Sequence, residues 1–306
     1  MGGANAEFTQ WKGLFDWSMK FHDGTHPTEF KEMDKEKQAW LKEVMSYYTQ
    51  DFGKRMKEIS EGLVGPGDSE EMVAQKEELL EELTDICESI DFARDLGKVG
   101  GLPCVIGLLS SQHEGIQSRA AELLAVCAAN NEPVQKEFVD AGVMEALLPL
   151  LDPQRPAVCC KAMLAVSSLA RGYQPGADAA RSLGAIRTLA QIAAAGPDDP
   201  RVNRKSLQLL HFFFKLFPDE QPPAVDAGLC GSLPAFMKEA DVDTVRWALE
   251  VALALATSPA TSSAFQQACP DLKAVLSAVA VSLRDNHDSE SVAEELEVIS
   301  KLQAAL

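Results

Sequence analysis

Ala141-Gly142-Val143 opens an apolar stretch, Ala146 to Leu151, which a polar break separates from a longer helical pattern carrying Cys160-Lys161-Ala162. The same order recurs. Gly100-Gly101-Leu102, Leu183-Gly184-Ala185-Ile186 and Ala227-Gly228-Leu229 precede apolar runs at Val105 to Leu109, Leu189 to Ala193 and Leu233 to Met237. Arg119-Ala120-Ala121, Lys205-Ser206-Leu207 and Trp247-Ala248-Leu249 then stand where Cys160-Lys161-Ala162 does. Gly101, Gly142, Gly184 and Gly228 are spaced 41, 42 and 44 residues apart. From Pro259 to Leu306 a fifth, degenerate unit has Cys269-Pro270-Asp271 at the turn.

A period of about 40 to 47 residues with two or three helices per unit is the signature of armadillo and HEAT repeats. No single unit can bury its own apolar helix faces, so neighbours must stack into one core. Units rich in Ala, Leu, Gln and Lys favour helix and exclude a β-propeller. The glycine between the first two helices favours armadillo over HEAT. The expected fold is therefore all-α, a right-handed armadillo-repeat solenoid with a short helical N-terminal segment and capping helices. Its expected parts are an N-terminal segment 1–61, a linker 62–67, capping helices 68–99, four repeats 100–258 and a degenerate fifth repeat or cap 259–306.

Before the repeats, Trp11, Leu14, Phe15 and Ser18 fall at helical spacing, with Trp17 and Phe21 nearby. A second helix is expected from Lys35 to Ser60 through Trp40, Val44, Tyr48 and Phe52. The run Gly62 to Gly67 then breaks it, and Asp68 with Glu71 resembles a capping box opening the next helix.

The chain of 306 residues carries a net charge of −18, which repels phosphate backbones and anionic membranes, so neither nucleic acid nor membrane is an expected partner. The acidic surface favours a monomer. Seven scattered cysteines without a C-x-x-C read as reduced, buried thiols. With no basic or apolar leader in Met1 to Glu7, the cytosol is the expected compartment.

Catalytic chemistry finds little support. The five histidines are isolated, and His22 and His26 lack the glutamate of a zincin helix. No phosphate loop or G-x-S-x-G elbow occurs. The carboxylate pairs from Glu70 to Glu82 read as a solvated helix face, and His211-Phe212-Phe213-Phe214 as a packed solenoid helix. No enzyme activity, cofactor or metal is expected.

Function then falls to the concave face, lined by the last helix of each unit. In peptide-capturing armadillo proteins that helix carries a ladder of Trp and, four residues on, Asn. Aligned by Ala and Leu, the ladder sites here are Leu123 and Cys127, Leu164 and Ser168, Gln208 and Phe212, Glu250 and Ala254. With no ladder, a folded partner is expected rather than an extended peptide.

Several stretches resemble one family, the armadillo-type nucleotide exchange factors of heat-shock-70 chaperones (Hsp70), the Fes and HspBP proteins. Leu14-Phe15-Asp16-Trp17-Ser18 is similar to the family's early Leu-Leu-x-Trp-Ser. Leu83-Thr84-Asp85-Ile86-Cys87-Glu88-Ser89-Ile90-Asp91, leading to Gly100-Gly101-Leu102, carries the likeness furthest. Trp40 to Met45, Lys161 to Arg171 and Lys205 to Leu210 extend it. The resemblance implies a co-chaperone whose concave face embraces one lobe of the Hsp70 ATPase domain and promotes ADP release. Expected contacts are Arg119, Lys161, Arg171, Arg204 and Arg246, with Leu164, Ser168, Gln208 and Glu250 beside them. It also implies that Trp11, Leu14, Phe15, Trp17 and Phe21 assist client release, a role that a chain starting near Asp68 should lose. The alternative, for which the fold alone suffices, is a general armadillo adaptor.

Overall fold

The computed structural model describes residues 34–48, 51–64, 69–288 and 291–306. It divides into two units, Met1–Asp51 and Phe52–Leu306. In the first unit a single helix is described, α1 (Lys35–Tyr48), whose start is capped by Asp34 accepting from the Glu36 amide at 3.1 Å.

The second unit begins with α2 (Phe52–Leu63) and α3 (Glu70–Cys87). Three-helix repeats follow: α4 (Ile90–Asp95), α5 (Gly101–Leu108) and α6 (Glu114–Ala128); then α7 (Glu132–Asp140), α8 (Val143–Leu147) and α9 (Pro156–Ala170). The third holds α10 (Gln174–Ser182), α11 (Ala185–Ala195) and α12 (Pro200–Leu216), and the fourth α13 (Gln221–Asp226), α14 (Leu229–Phe236) and α15 (Val242–Thr257). The last unit is α16 (Ser262–Ala268), α17 (Leu272–Asn286) and α18 (Ala293–Ala305). Helices of one kind stack on their own kind: α4, α7 and α10 in one row, α11 on α14, and α3, α6, α9, α12, α15 and α18 in the longest. One core runs through all repeats, and the described residues contain no strand. This is the all-α repeat architecture expected from the period.

Local chemistry explains the turns. Gly100, Gly142, Gly184 and Gly228 each have φ between 79° and 90°, a left-handed conformation that costs any other L-residue about 1–2 kcal/mol. The first repeat thus turns on Gly100, not on the Gly101 used for the spacing above. Gly101 is instead the first residue of α5, where a Cβ would stand 2.8 Å from Ser60 Oγ. Pro149 ends the apolar run of the second repeat as a 3-10 turn, Leu148–Leu150.

Three local expectations are corrected. The helix expected over Lys35 to Ser60 is two helices, α1 and α2, in different units. The division falls after Asp51, ahead of residue 61, because α2 buries Met56, Ile59 and Leu63 in the repeat core; Gly62 and Leu63, expected in the linker, are its last residues. The cap of α3 is Ser69, whose Oγ accepts from the Met72 amide at 3.3 Å, while Asp68 lies outside the described residues.

Two buried glutamines are hydrogen-bonded where neighbouring elements meet. Gln135 of α7 donates to the carbonyls of Ser168 and Arg171 at 2.6 and 3.0 Å, closing the end of α9. Gln117 donates to the Leu109 carbonyl and accepts from Arg155.

Candidate partner-binding face

Third helices in register leave one row of side chains half-exposed. On α9 the buried set Cys159, Ala162, Met163, Val166 and Leu169 puts Lys161, Leu164 and Ser168 on the other side, Leu164 being 36% exposed. On α12 the same offset exposes Arg204, Gln208 and Phe212, and on α15 Arg246 and Glu250. In α6 the row is one residue away from the sequence alignment: Leu123 and Cys127 are buried in the core, and Glu122 and Val126 take the half-exposed places. No Trp–Asn pair stands in the corrected row either.

Charge on the row runs between repeats. Arg119 of α6 reaches Glu81 and Glu77 of α3 at 3.0 and 3.7 Å. Lys161 of α9 meets Glu122 of α6 at 2.5 Å. Arg204 of α12 pairs with Asp241 and Asp243 at the start of α15 at 3.3 and 3.7 Å, and Arg246 of α15 pairs with Glu294 of α18. These half-exposed pairs contribute about 0–1 kcal/mol each; they keep neighbouring helices in register and occupy four of the five cations singled out in the sequence.

Arg171, the fifth, meets no carboxylate among the described residues. It caps α9, donates from Nε to Ser167 Oγ at 2.8 Å, and holds its guanidinium carbon 4.6 Å from the centre of the Phe212 ring. Partial burial lowers its pKa, yet an arginine stays charged. Beside it a cleft of about 360 Å³ opens between α9, α12 and α15, lined also by Gln208, His211, Phe212, Lys215, Leu216 and Trp247. His211 is pushed down to about 4 by burial and then by Lys215 and Arg171, so it is neutral at physiological pH. Its Nδ1 is buried without a hydrogen-bond partner, since Glu250 at 3.8 Å is too far.

The structure thus brings Arg171 and Gln208 to one cleft and distributes Arg119, Lys161, Leu164, Ser168, Arg204, Arg246 and Glu250 along the row. His211, Phe212, Lys215, Leu216 and Trp247 were missed as a group. Gln208, Phe212 and Lys215 fall at i, i+4 and i+7, a signal hidden by reading the whole aromatic run as core; Phe213 and Phe214 are buried, and Phe212 is not. Trp11, Leu14, Phe15, Trp17 and Phe21 lie outside the described residues. Among those described, no group of His, Cys, Asp or Glu could hold a metal, and no helix is long and apolar enough to cross a membrane.

Solved structures similar to this chain are armadillo-like. An engineered protein matches with a TM-score of 0.66 at 21% identity, over 81% of this chain and 98% of the other. A designed armadillo repeat protein in complex with the peptide (KR)4 matches with 0.64 at 16%, over 81% and 99%; both likenesses concern the fold alone. Hsp70-binding protein 1 of Homo sapiens is 31% identical over 156 residues, 47% of this chain and 44% of that protein. Nucleotide exchange factor SIL1 of Rattus norvegicus is 31% identical over 104 residues, 34% and 22%. The match therefore spans less than half the length of these relatives. A family model described as nucleotide exchange factor Fes1 matches residues 11–96, and one described as the SIL1/FES1/HPBP1 C-terminal domain matches 92–211. Overlapping at residues 92–96 and together running from the N-terminal segment into the third repeat, they show that the chain belongs to the Fes/HspBP family.

Proposed function

We propose that this protein is a co-chaperone, an adenyl-nucleotide exchange factor that binds the ATPase domain of a cytosolic Hsp70 through the half-exposed row of third helices and speeds ADP release. The observation that carries this reading is the continuous family match from residue 11 to 211, one half of it described as a nucleotide exchange factor. It acts as a monomer, by binding, with no bond made or broken.

A continuous core from α2 to α18 supports a stiff partner surface. Such a surface can hold one lobe of the ATPase domain in an arrangement that no longer closes on ADP. Every tenfold shift toward that open arrangement requires about 1.4 kcal/mol of differential affinity. Leu164, Ser168 and Gln208 supply uncharged contact area, while the paired Arg119, Lys161, Arg204 and Arg246 present fixed charges at its edges, with Glu250 beside them. The segment with Trp11, Leu14, Phe15, Trp17 and Phe21 assists release of chaperone-bound client.

Stopped-flow measurement of fluorescent ADP leaving an Hsp70 ATPase domain tests the reading, with acceleration expected on adding this protein. No acceleration at saturation overturns it in favour of an armadillo adaptor. The client-release test should compare the full chain with one starting at Phe52 rather than Asp68, since α2 belongs to the repeat core.

A further inference from the structure

We propose that the cleft between α9, α12 and α15 receives an Asp or Glu side chain of the partner, whose carboxylate lies against the Arg171–Phe212 stack. This rests on the exchange-factor reading and names the partner group that the face selects.

Charge is the first argument. In a chain of net charge −18 the cleft is lined by two cations, Arg171 and Lys215, and by no carboxylate. Arg119, Lys161, Arg204 and Arg246 on the same row each meet an acidic side chain of a neighbouring helix; Arg171 meets none among the described residues. Among the described residues its guanidinium makes one hydrogen bond, from Nε, which leaves both terminal nitrogens to donate. That planar pair matches a carboxylate, and the ring beneath fixes its plane.

The surroundings favour the same occupant. Two of the carbonyls at the end of α9, those of Ser168 and Arg171, which would repel an anion there, already accept from Gln135. Leu216, Phe212 and Trp247 give the cleft apolar walls that strengthen a charge-assisted bond by excluding water. Its volume, about 360 Å³, is at the small end for ligand sites and has room for a side chain and its flanks. Glu250 lies 3.8 Å from His211 Nδ1 and does not line the cleft.

The test measures Kd between the full-length protein and an Hsp70 ATPase domain at low and moderate salt. Arg171→Gln and Lys215→Gln should weaken binding about tenfold and threefold and flatten its salt dependence, whereas Arg187→Gln on α11 should change nothing. An Asp/Glu→Lys scan of the ATPase domain should then yield one position whose change restores binding to Arg171→Glu, a rescue that a purely structural arginine would not give. Wild-type affinity in Arg171→Gln and Lys215→Gln overturns the proposal; if Leu164→Arg abolishes binding in that experiment, the exchange-factor reading survives alone. Lys215 is exposed, so its variant tests the cleft even if Arg171→Gln fails to fold. A wild-type protein that neither binds the domain nor speeds ADP release removes both.

Discussion

Arg55 of α2 grips Glu82 of α3 with a two-point fork, Nε and Nη2 donating to the two carboxylate oxygens at 2.7 and 2.6 Å. Both side chains are about a third exposed, so the pair contributes under about 1 kcal/mol. Its larger meaning is positional, because it fastens α2 to the repeats beside the buried Met56, Ile59 and Leu63. A chain starting at Phe52 should melt within a few degrees of the full protein. One starting at Asp68 removes three side chains worth about 1.5–3 kcal/mol each and should melt markedly lower by circular dichroism.

Acid should weaken the fold through His211. Its folded pKa, about 4, lies below the ordinary value of 6.5, so between those values the unfolded chain binds more protons. Stability is complete above pH 6.5 and falls as pH drops toward 4, by on the order of 2 kcal/mol. Urea midpoints at pH 7 and pH 4.5 should differ less in His211→Gln than in the wild type.

Two glycine substitutions should move stability in opposite directions. Gly142, at φ 79°, should lose about 1–2 kcal/mol on change to Ala. Gly107 lies in α5 with nothing within 4 Å of an added Cβ, and Ala there should stabilise by up to about 1 kcal/mol. Thermal melts of the two variants decide the matter.

Leu164→Arg and Phe213→Ala should separate binding from folding. Leu164 is on the exposed row, and its replacement should abolish accelerated ADP release with the melting temperature unchanged. Phe213 is fully buried, 6.4 Å from the Phe217 ring, and truncation should cost about 3–5 kcal/mol.

Alkylation should reach Cys104 first. It is the one partly exposed cysteine, the other six being buried, and burial pushes Cys159 up to about 12. Mass mapping after brief iodoacetamide treatment at pH 8 should find Cys104 modified, and all seven only in denaturant.

The repeat period was legible in the sequence because a left-handed turn admits little but glycine, so Gly142, Gly184 and Gly228 mark the units without help from the rest of the chain. Gly100 and Gly101 show where that reading stops: two adjacent glycines satisfy the pattern equally, and packing against Ser60 and Leu96 assigned one to the turn and one to the helix. Burial in α6 likewise selected Glu122 and Val126 over Leu123 and Cys127, since a helical pattern of small and apolar residues can be rotated by one position at little local cost.

Local chemistry alone determined that this chain is helical, repeated and acidic. Tertiary structure decided which charges are spent between repeats and which side chains share a cleft. Arg119 and Arg171 look alike as sequence; one faces Glu77 and Glu81 of another helix, while the other faces Phe212. Those partners are about 40 residues away along the chain, and only the stacking of one repeat on the next brings them within reach, because the energy of a charge depends on what surrounds it rather than on its neighbours in sequence.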